Sequence, residues 1–179
     1  MDLKKRYSLL IKICVLMNRE DYKLSKISLQ QLAYLFQELY SDELFFDFEL
    51  YTYGPYSVEL INDLDILCEN NYITIDYCQG PECFGSLINP GSLSNILLDR
   101  YKDYWLKYEE KLGKVIKLFG HMDTRYVELC GTVIYLNKKM AYKKIDEIIN
   151  QVCYIKPYFK EEEITEAIFG LKMILDLDK

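Results

Sequence analysis

Two cysteines on either side of a predicted turn come nearest to the spacing of a metal site. Cys78 and Cys83 flank the turn sequence Gln-Gly-Pro-Glu at 79–82. A structural zinc site takes four ligands. The other four cysteines, at positions 14, 68, 130 and 153, supply no second pair at suitable spacing. We therefore expect cross-strand thiols at Cys78 and Cys83, no metal ligand, and no metal requirement for folding.

The single histidine, His121, is the other residue with catalytic potential. A histidine beside a cysteine can activate a thiolate nucleophile. His121, however, follows Gly120 at the predicted end of a helix, where a capping or surface role is more common. The chain contains no phosphate-binding loop, dinucleotide fingerprint or nucleophile elbow. We predict no catalytic residue, no cofactor and no enzymatic activity.

A cluster of lysines is the group best suited to contact phosphates. It consists of Lys138, Lys139, Lys143 and Lys144. The alternative, which we favour, is a helix C-terminus with complementary charge. The predicted third helix instead presents acids at positions 59, 63, 65 and 69 and no basic residue. Because major-groove recognition uses Lys, Arg, Asn or Gln, we expect no sequence-specific DNA binding through that helix.

Acidic residues are concentrated in the middle of the chain. The 179 residues have a net charge of −6, yet residues 41–99 contain 11 Asp or Glu and neither Lys nor Arg. Such a stretch repels phosphate and attracts cationic surfaces. Two interpretations remain open: a solvated acidic face that maintains solubility, or a docking face for a basic partner.

Length and composition indicate a globular protein of the cytoplasm. Half of the residues are apolar, and 179 residues are enough to bury a substantial core. No apolar run approaches the ~20 residues that a membrane span requires. Lys12 interrupts the apolar stretch that follows the basic start, unlike a secretion signal. We expect a cytoplasmic location and therefore six reduced cysteines.

Apolar spacings of three and four residues predict a mainly α protein. The predicted helices lie at 3–17, 28–40, 55–70, 94–119, 124–136, 145–152 and 161–175. Alternation of polar and apolar residues predicts a short extended segment near 47–51 and a β-hairpin near 72–88. Helix, helix and hairpin follow one another as in a winged helix. We expect a helical domain with a winged-helix-like hairpin over 1–90, and a C-terminal helical-bundle portion over 91–179 that packs on it as one compact unit.

Two short blocks carry a resemblance to a known family. The first is Leu29-Gln30-Gln31-Leu32-Ala33-Tyr34, and the second is Tyr51-Thr52-Tyr53-Gly54-Pro55. Together they resemble the Panacea-type antitoxin domain of the SocA-like family, in which Leu-Gln-Lys-Leu-x-Tyr precedes an aromatic-x-Tyr-Gly-Pro block that opens a helix. Gln31 and Ser28 stand where the family has lysines. The continuation to Leu60 looks closer to an uncharacterised bacterial branch called YwgA-like, and the resemblance covers residues 5–90.

The resemblance implies a helical fold with a small sheet and a function in neutralising a toxin or delivering it to a protease. Our leading hypothesis is a non-enzymatic, antitoxin-like regulator whose partner is a protein with a basic surface. The expected partner-binding residues, all within 41–60, are Asp42, Glu43, Phe46, Glu49, Tyr51 and Tyr56. The expected structural residues of the two blocks are Gln30, Tyr34, Tyr53, Gly54 and Pro55. The alternatives are a nucleic-acid-associated regulator that uses the lysines at 138–144, and an enzyme with an unrecognised site.

Overall fold

The described part of the chain is mainly helical, which confirms the predicted mainly α class; the winged-helix-like arrangement stays a prediction. A computed structural model describes residues 2–40, 44–80, 83–140 and 144–175, without the side chains at 78–80, 83, 84 and 175. Its elements in chain order are α1 (Leu3–Arg19), α2 (Lys26–Tyr40), β1 (Glu49–Tyr51), β2 (Gly54–Tyr56), α3 (Val58–Glu69), β3 (Ile73–Gly80), β4 (Cys83–Pro90), α4 (Ser94–Arg100), α5 (Lys102–Trp105), a 3₁₀ turn (Leu106–Tyr108), α6 (Glu109–Phe119), α7 (Thr124–Lys138), α8 (Ile145–Ile155) and α9 (Glu161–Leu175).

One hydrophobic core joins both portions that the sequence analysis separated. Leu9 of α1, Tyr34 of α2 and Val133 of α7 are fully enclosed and belong to the same buried cluster. Helix α2 packs against α1, α6 and α7, and α1 also packs against α4 and α6. Residues beyond 91 therefore complete the core around α1 and α2.

The β3–β4 hairpin confirms the hairpin predicted near 72–88. Its two strands pair antiparallel, from Ile73 opposite Pro90 to Gly80 opposite Cys83. The Ile88 N–H donates to the Leu24 carbonyl oxygen at 2.7 Å, which attaches β4 to the end of the α1–α2 connection. The side chains of Cys78 and Cys83 lie outside the described residues, so the cross-strand thiols remain a prediction.

The single long helix predicted from Ser94 to Phe119 is wrong, because the chain turns at Tyr101 and again at 106–108. The indole Nε1 of Trp105 donates to the Leu98 carbonyl oxygen at 2.8 Å. In an uninterrupted α-helix that carbonyl accepts from the N–H four residues on. Trp105 is also buried, with the Lys12 ammonium 3.8 Å from the centre of its ring. The chain therefore gives up a regular helical turn here, and the tryptophan is buried and hydrogen-bonded instead.

The segment 44–57, which leads from α2 to α3, is held by glutamine side chains of α2. The Gln37 amide donates to the Phe46 carbonyl oxygen and accepts from the Phe46 N–H, both at 2.9 Å. The Gln30 amide does the same for Ser57, at 2.8 and 3.0 Å. Gln30 and Gln37 are seven residues apart, so they lie on one face of the helix. This face of α2 provides hydrogen-bond donors and acceptors to the backbone of the segment, as a neighbouring strand would.

Replacing Gln30 with alanine should destabilise the fold by about 1–3 kcal/mol. The substitution removes both amide hydrogen bonds to Ser57 and leaves its N–H buried without a partner, while its carbonyl oxygen still accepts from the Ile61 N–H at 3.4 Å. An unsatisfied buried polar group costs about that much. Urea denaturation measures the change in the free energy of unfolding. Gln151→Ala, at a half-buried position on α8, is the matched control and should have little effect. Equal losses in both variants would contradict the role of Gln30.

Candidate functional site

The Tyr51-Thr52-Tyr53-Gly54-Pro55 block forms a tight hairpin, and the helix predicted to begin at Pro55 begins at Val58 instead, because Gly54 to Tyr56 pair as a strand. Strands β1 and β2 pair antiparallel, with Tyr51 opposite Gly54 across a two-residue turn. Gly54 has a φ of 96°, a conformation that favours glycine. A Cβ built on Gly54 would also lie 3.4 Å from Cγ of Glu128. Gly54 therefore serves the turn geometry and the close approach to α7 together.

The side of the hairpin that faces the core packs against α2 and α7. Tyr34 is fully buried, and its ring meets that of Phe48 edge-on with centroids 5.1 Å apart. Its hydroxyl has no hydrogen-bond partner in the described part of the chain, so Tyr34 holds the segment through ring packing. A Cβ on Gly131 would lie 3.1 Å from Cδ of Pro55, and the missing side chain lets α7 approach the proline closely.

A buried cation, the ammonium group of Lys156, binds the backbone carbonyl groups of the turn. Lys156 Nζ lies 2.6 Å from the Thr52 carbonyl oxygen, 3.1 Å from that of Tyr51 and 2.6 Å from Oε1 of Glu128. The Tyr158 hydroxyl, 3.2 Å from the same nitrogen, donates to Glu128. The side chains of Lys156 and Glu128 are almost completely buried. We refer to Lys156, Glu128 and Tyr158 as the Lys156 cluster.

The chemistry of the Lys156 cluster is that of a structural support. An ammonium group has three N–H donors and no acceptor, and the three nearest oxygens account for all of them. Burial and the Glu128 carboxylate raise the pKa of Tyr158, which keeps its hydroxyl protonated and donating. Arg125 completes the arrangement by donating to the Tyr158 carbonyl oxygen at 2.8 Å and pairing with Glu163. The cluster anchors the hairpin turn to α7 and to the α8–α9 connection.

Three of the predicted partner-binding residues lie together on the outer side of the hairpin. Tyr51 is 64% exposed, Glu49 is exposed beside it on β1, and Tyr56 is half-buried opposite Glu49. The rings of Tyr51 and Tyr56 have centroids 5.5 Å apart. We refer to these three side chains as the tyrosine ridge, in which two aromatic rings tilted by 33° lie beside a carboxylate.

The remaining predictions for this region need correction or stay open. Phe46 is wrong as a partner contact, because only 3% of it is exposed and it packs against Phe48 and the Arg6 guanidinium. Asp42 and Glu43 lie outside the described residues.

Tyr53 lies in the turn, as predicted, and the contact it makes there comes from its backbone. The turn uses the Tyr53 carbonyl oxygen, which accepts from Gln31 at 3.2 Å. The Tyr53 ring itself is 61% exposed, so replacing it should leave the fold intact.

Cations from outside the acidic stretch neutralise part of it. Arg6 on α1 pairs with Asp63 at 2.6 Å and with Glu59 at 2.9 Å. Lys139 pairs with Asp47 at 3.3 Å, and Lys26 reaches Asp65 at 3.9 Å. Glu49 has no ion-pair partner among the residues that the structure describes. The acidic stretch is therefore both an internal partner for basic residues and, at Glu49, an open charge on the surface.

The lysine cluster considered for phosphate binding is largely engaged within the chain. Lys138 donates to the Glu38 carbonyl oxygen, and Lys139 donates to that of Phe48 at 3.0 Å. Lys144 lies 3.7 Å from Glu147, and Lys143 lies outside the described residues. Lys138 thus connects the end of α7 to the last turn of α2, and Lys139 connects it to the segment that follows α2.

Two grooves are lined by both tyrosines of the tyrosine ridge, and a third, about 470 Å³, lies between Tyr51 and the Lys156 cluster. The apolar groove, about 450 Å³, lies between the hairpin and the first turns of α2 and α3. The acidic groove, about 270 Å³, lies on the other side and is lined by Asp47, Glu49 and Glu59. Tyr51, Tyr56 and Val58 line both grooves. A partner that covers the ridge can therefore enter both.

Two further features, a metal-ligand cluster and a membrane-spanning helix, are absent from the described residues. Over this part of the chain, no group of three or more His, Cys, Asp or Glu side chains is placed to hold a metal ion. None of the described helices combines the length and apolar character needed to cross a membrane. His121 is exposed at the end of α6, with its ring near that of Tyr22.

The Lys156 cluster is the part of the site that sequence reasoning missed. Lys156 is 104 residues from its hydrogen-bond partner Thr52. In the sequence it is a lysine at the end of a predicted helix and before a proline, a position where a basic residue is ordinary. The one sequence feature beside Lys156 is the pair Pro157-Tyr158. Such a pair is too common to indicate a contact with the hairpin.

Replacing Lys156 with methionine should destabilise the fold by about 3–5 kcal/mol, because it leaves the Glu128 carboxylate buried without a cation. Replacing both residues, as Lys156→Met with Glu128→Leu, removes that uncompensated charge and should restore part of the loss. Urea denaturation of the two single variants and the double variant measures the coupling. A double variant as unstable as the sum of the single changes would show that the two side chains act independently.

Glu163 should titrate well below an ordinary glutamate. The hydrogen bonds from Arg125, followed by that from the Lys160 backbone N–H, lower its pKa to about 2. The contribution of this pair to stability is present above the ordinary glutamate range and disappears as the pH falls toward about 2. The carboxyl ¹³C chemical shift of Glu163, followed against pH, measures the value. In Arg125→Gln it should return toward the ordinary range, and an unshifted wild-type carboxyl would disprove the pairing in solution.

Comparisons with known proteins give no independent assignment. Neither the models of known protein families nor the curated proteins include a match to this chain. The resemblance to SocA-like antitoxins therefore rests on the residues of the two blocks, and the function has to be inferred from the geometry of the chain itself.

Proposed function

We propose that the chain is a non-enzymatic, antitoxin-like regulator of the cytoplasm that binds a partner protein through the tyrosine ridge. The observation that carries this proposal is the combination of two tyrosine rings in contact and an unpaired carboxylate on a hairpin whose backbone is anchored from two sides. Aromatic side chains are enriched among the residues that dominate binding energy at protein interfaces. A surface that is already ordered loses little conformational entropy when a partner binds.

Anchoring of the hairpin supports a binding role over a purely structural one. Gln30 fixes Ser57 behind the hairpin, and the Lys156 cluster fixes Tyr51 and Thr52 at the turn. These contacts use backbone atoms, so they leave the rings of Tyr51 and Tyr53 directed to solvent. The fold thus fixes the backbone firmly while leaving large apolar side chains uncovered.

The charge around the ridge supports a basic partner. Glu49 provides an open negative charge, and the acidic groove beside it contains further carboxylates. Opposite charges across an interface raise the association rate and select the partner. The resemblance of the two blocks to antitoxin domains agrees with this binding role, and it suggests a toxin as the partner.

Reversing one charge on the ridge should slow partner association. We expect Glu49→Lys to lower the association rate constant by about threefold to tenfold at low salt, with a smaller difference at high salt because ions screen the charge. The partner is first identified by cross-linking in the source cell through a photoreactive residue in place of Tyr51. Biolayer interferometry with the purified pair then gives the rate constants.

Asp99→Lys is the matched control, since Asp99 is an exposed acid on α4, a helix that packs on α1 and α5. This variant should bind at the wild-type rate. If Glu49→Lys also associates at the wild-type rate, the acidic surface serves solubility only. If the Tyr51 position cross-links to no protein, the proposed function is wrong.

A further inference from the structure

The apolar groove beside the tyrosine ridge is unusual for an exposed surface of a small protein. Val58 is 65% exposed and Tyr53 is 61% exposed, and both line it together with Ile27, Pro55, Tyr56 and Ile61. These side chains come from three elements, namely α2, the hairpin and α3. Contiguous exposed apolar surface of this kind marks an interaction site more often than an accident of packing.

The walls of this groove are fixed by contacts already described. Gln30 lies at its base and hydrogen-bonds both polar backbone groups of Ser57, which directly precedes α3. Pro55 packs against α7 where Gly131 permits close approach. A groove with such walls is formed before any ligand arrives, as binding pockets usually are.

Charge around the groove limits what can occupy it. Within the described residues, Lys26 is the cation that lines the apolar groove, and it lies near Asp65 and the ring of Tyr77. Across the ridge, Glu49 and the other carboxylates of the acidic groove are within reach of the same ligand because Tyr51, Tyr56 and Val58 line both grooves. This field repels nucleic acid and acidic peptides and attracts Lys and Arg.

We propose that the apolar groove binds a segment of a partner protein that has apolar side chains flanked by Lys or Arg. The apolar side chains enter the groove against Val58 and Ile61, and the cation crosses the ridge to Glu49. This inference rests on the proposed function and adds the chemistry of the recognised segment. A ligand of this kind explains why an apolar groove and an acidic groove lie side by side. A docking surface without such specificity would not need both.

A random peptide library displayed on phage tests the chemistry directly, with the full-length protein as the immobilised target. We expect the selected peptides to be enriched in aliphatic or aromatic residues next to Lys or Arg. Enrichment of apolar residues without cations would overturn the role of Glu49, and enrichment of acidic peptides would overturn the whole inference.

A matched pair of substitutions locates the selected peptides. Val58→Gln removes apolar surface from the groove and should weaken binding by about tenfold, since burying a valine contributes on that order. Ile96→Gln is the control, because Ile96 is similarly exposed, at 61%, but lies on α4. Both variants should keep the wild-type melting temperature. Equal affinity of the two variants would place the peptides elsewhere and disprove the groove.

The native partner separates this inference from the function on which it rests. If the cross-linked partner loses affinity with Glu49→Lys but not with Val58→Gln, the tyrosine ridge binds the partner and the groove inference is wrong. If the selected peptides bind in the groove but the Tyr51 position cross-links to no protein, the groove inference stands and the proposed function fails.

Discussion

The structure depends on how the polar backbone of the 44–57 segment is satisfied away from water. Its two strands have three residues each, so strand pairing provides only part of the hydrogen bonds. Side chains provide the rest, from Gln30 and Gln37 on α2, and from Lys139 and Lys156 on the other side. Buried polar groups without partners are costly, so this irregular segment is stable only where these side chains are present.

The same contacts determine which residues of the segment face outward. Hydrogen bonds at Phe46 and Ser57 fix the two ends, and the ring of Phe48 packs inward against Tyr34. Between these points the hairpin turns Tyr51 and Tyr53 to solvent. The exposed aromatics are therefore a consequence of how the backbone is anchored, and substitutions in the buried anchors should alter the surface at a distance.

Ion pairs also join the acidic stretch to residues that are distant in sequence. The acidic stretch lacks cations of its own, and residues distant in sequence supply them, as Arg6 does for Asp63 and Lys139 does for Asp47. A buried ion pair such as Lys156 with Glu128 adds little net stability compared with apolar side chains of similar size. Its effect here is on position, because Lys156 fixes the carbonyl groups at one end of the turn.

Local sequence patterns predicted those elements of the fold that depend on interactions between residues close in sequence. Spacings of three and four residues located most of the helices, and alternation located the β3–β4 hairpin. The break at Tyr101 was not predictable from spacing, since it depends on Trp105 reaching back to a carbonyl. Phe46 was assigned to the surface because alternation cannot say which of two faces is buried. Lys156 was missed because the turn carbonyls that it binds, at Tyr51 and Thr52, are more than a hundred residues away. Single-sequence patterns contain no signal for such a contact.

The second half of the chain, which resembles no known family, has a defined role in this arrangement. Helix α7 supplies Glu128 and Gly131, and the α8–α9 connection supplies Lys156 and Tyr158, so the turn of the second motif block is held by residues outside the region of resemblance. The two blocks alone lack the cation that holds the turn carbonyls. It follows that residues 100–179 do not form an independent appendage. They include the residues that hold the hairpin turn, and the exposed surface of the hairpin is therefore a property of the whole fold.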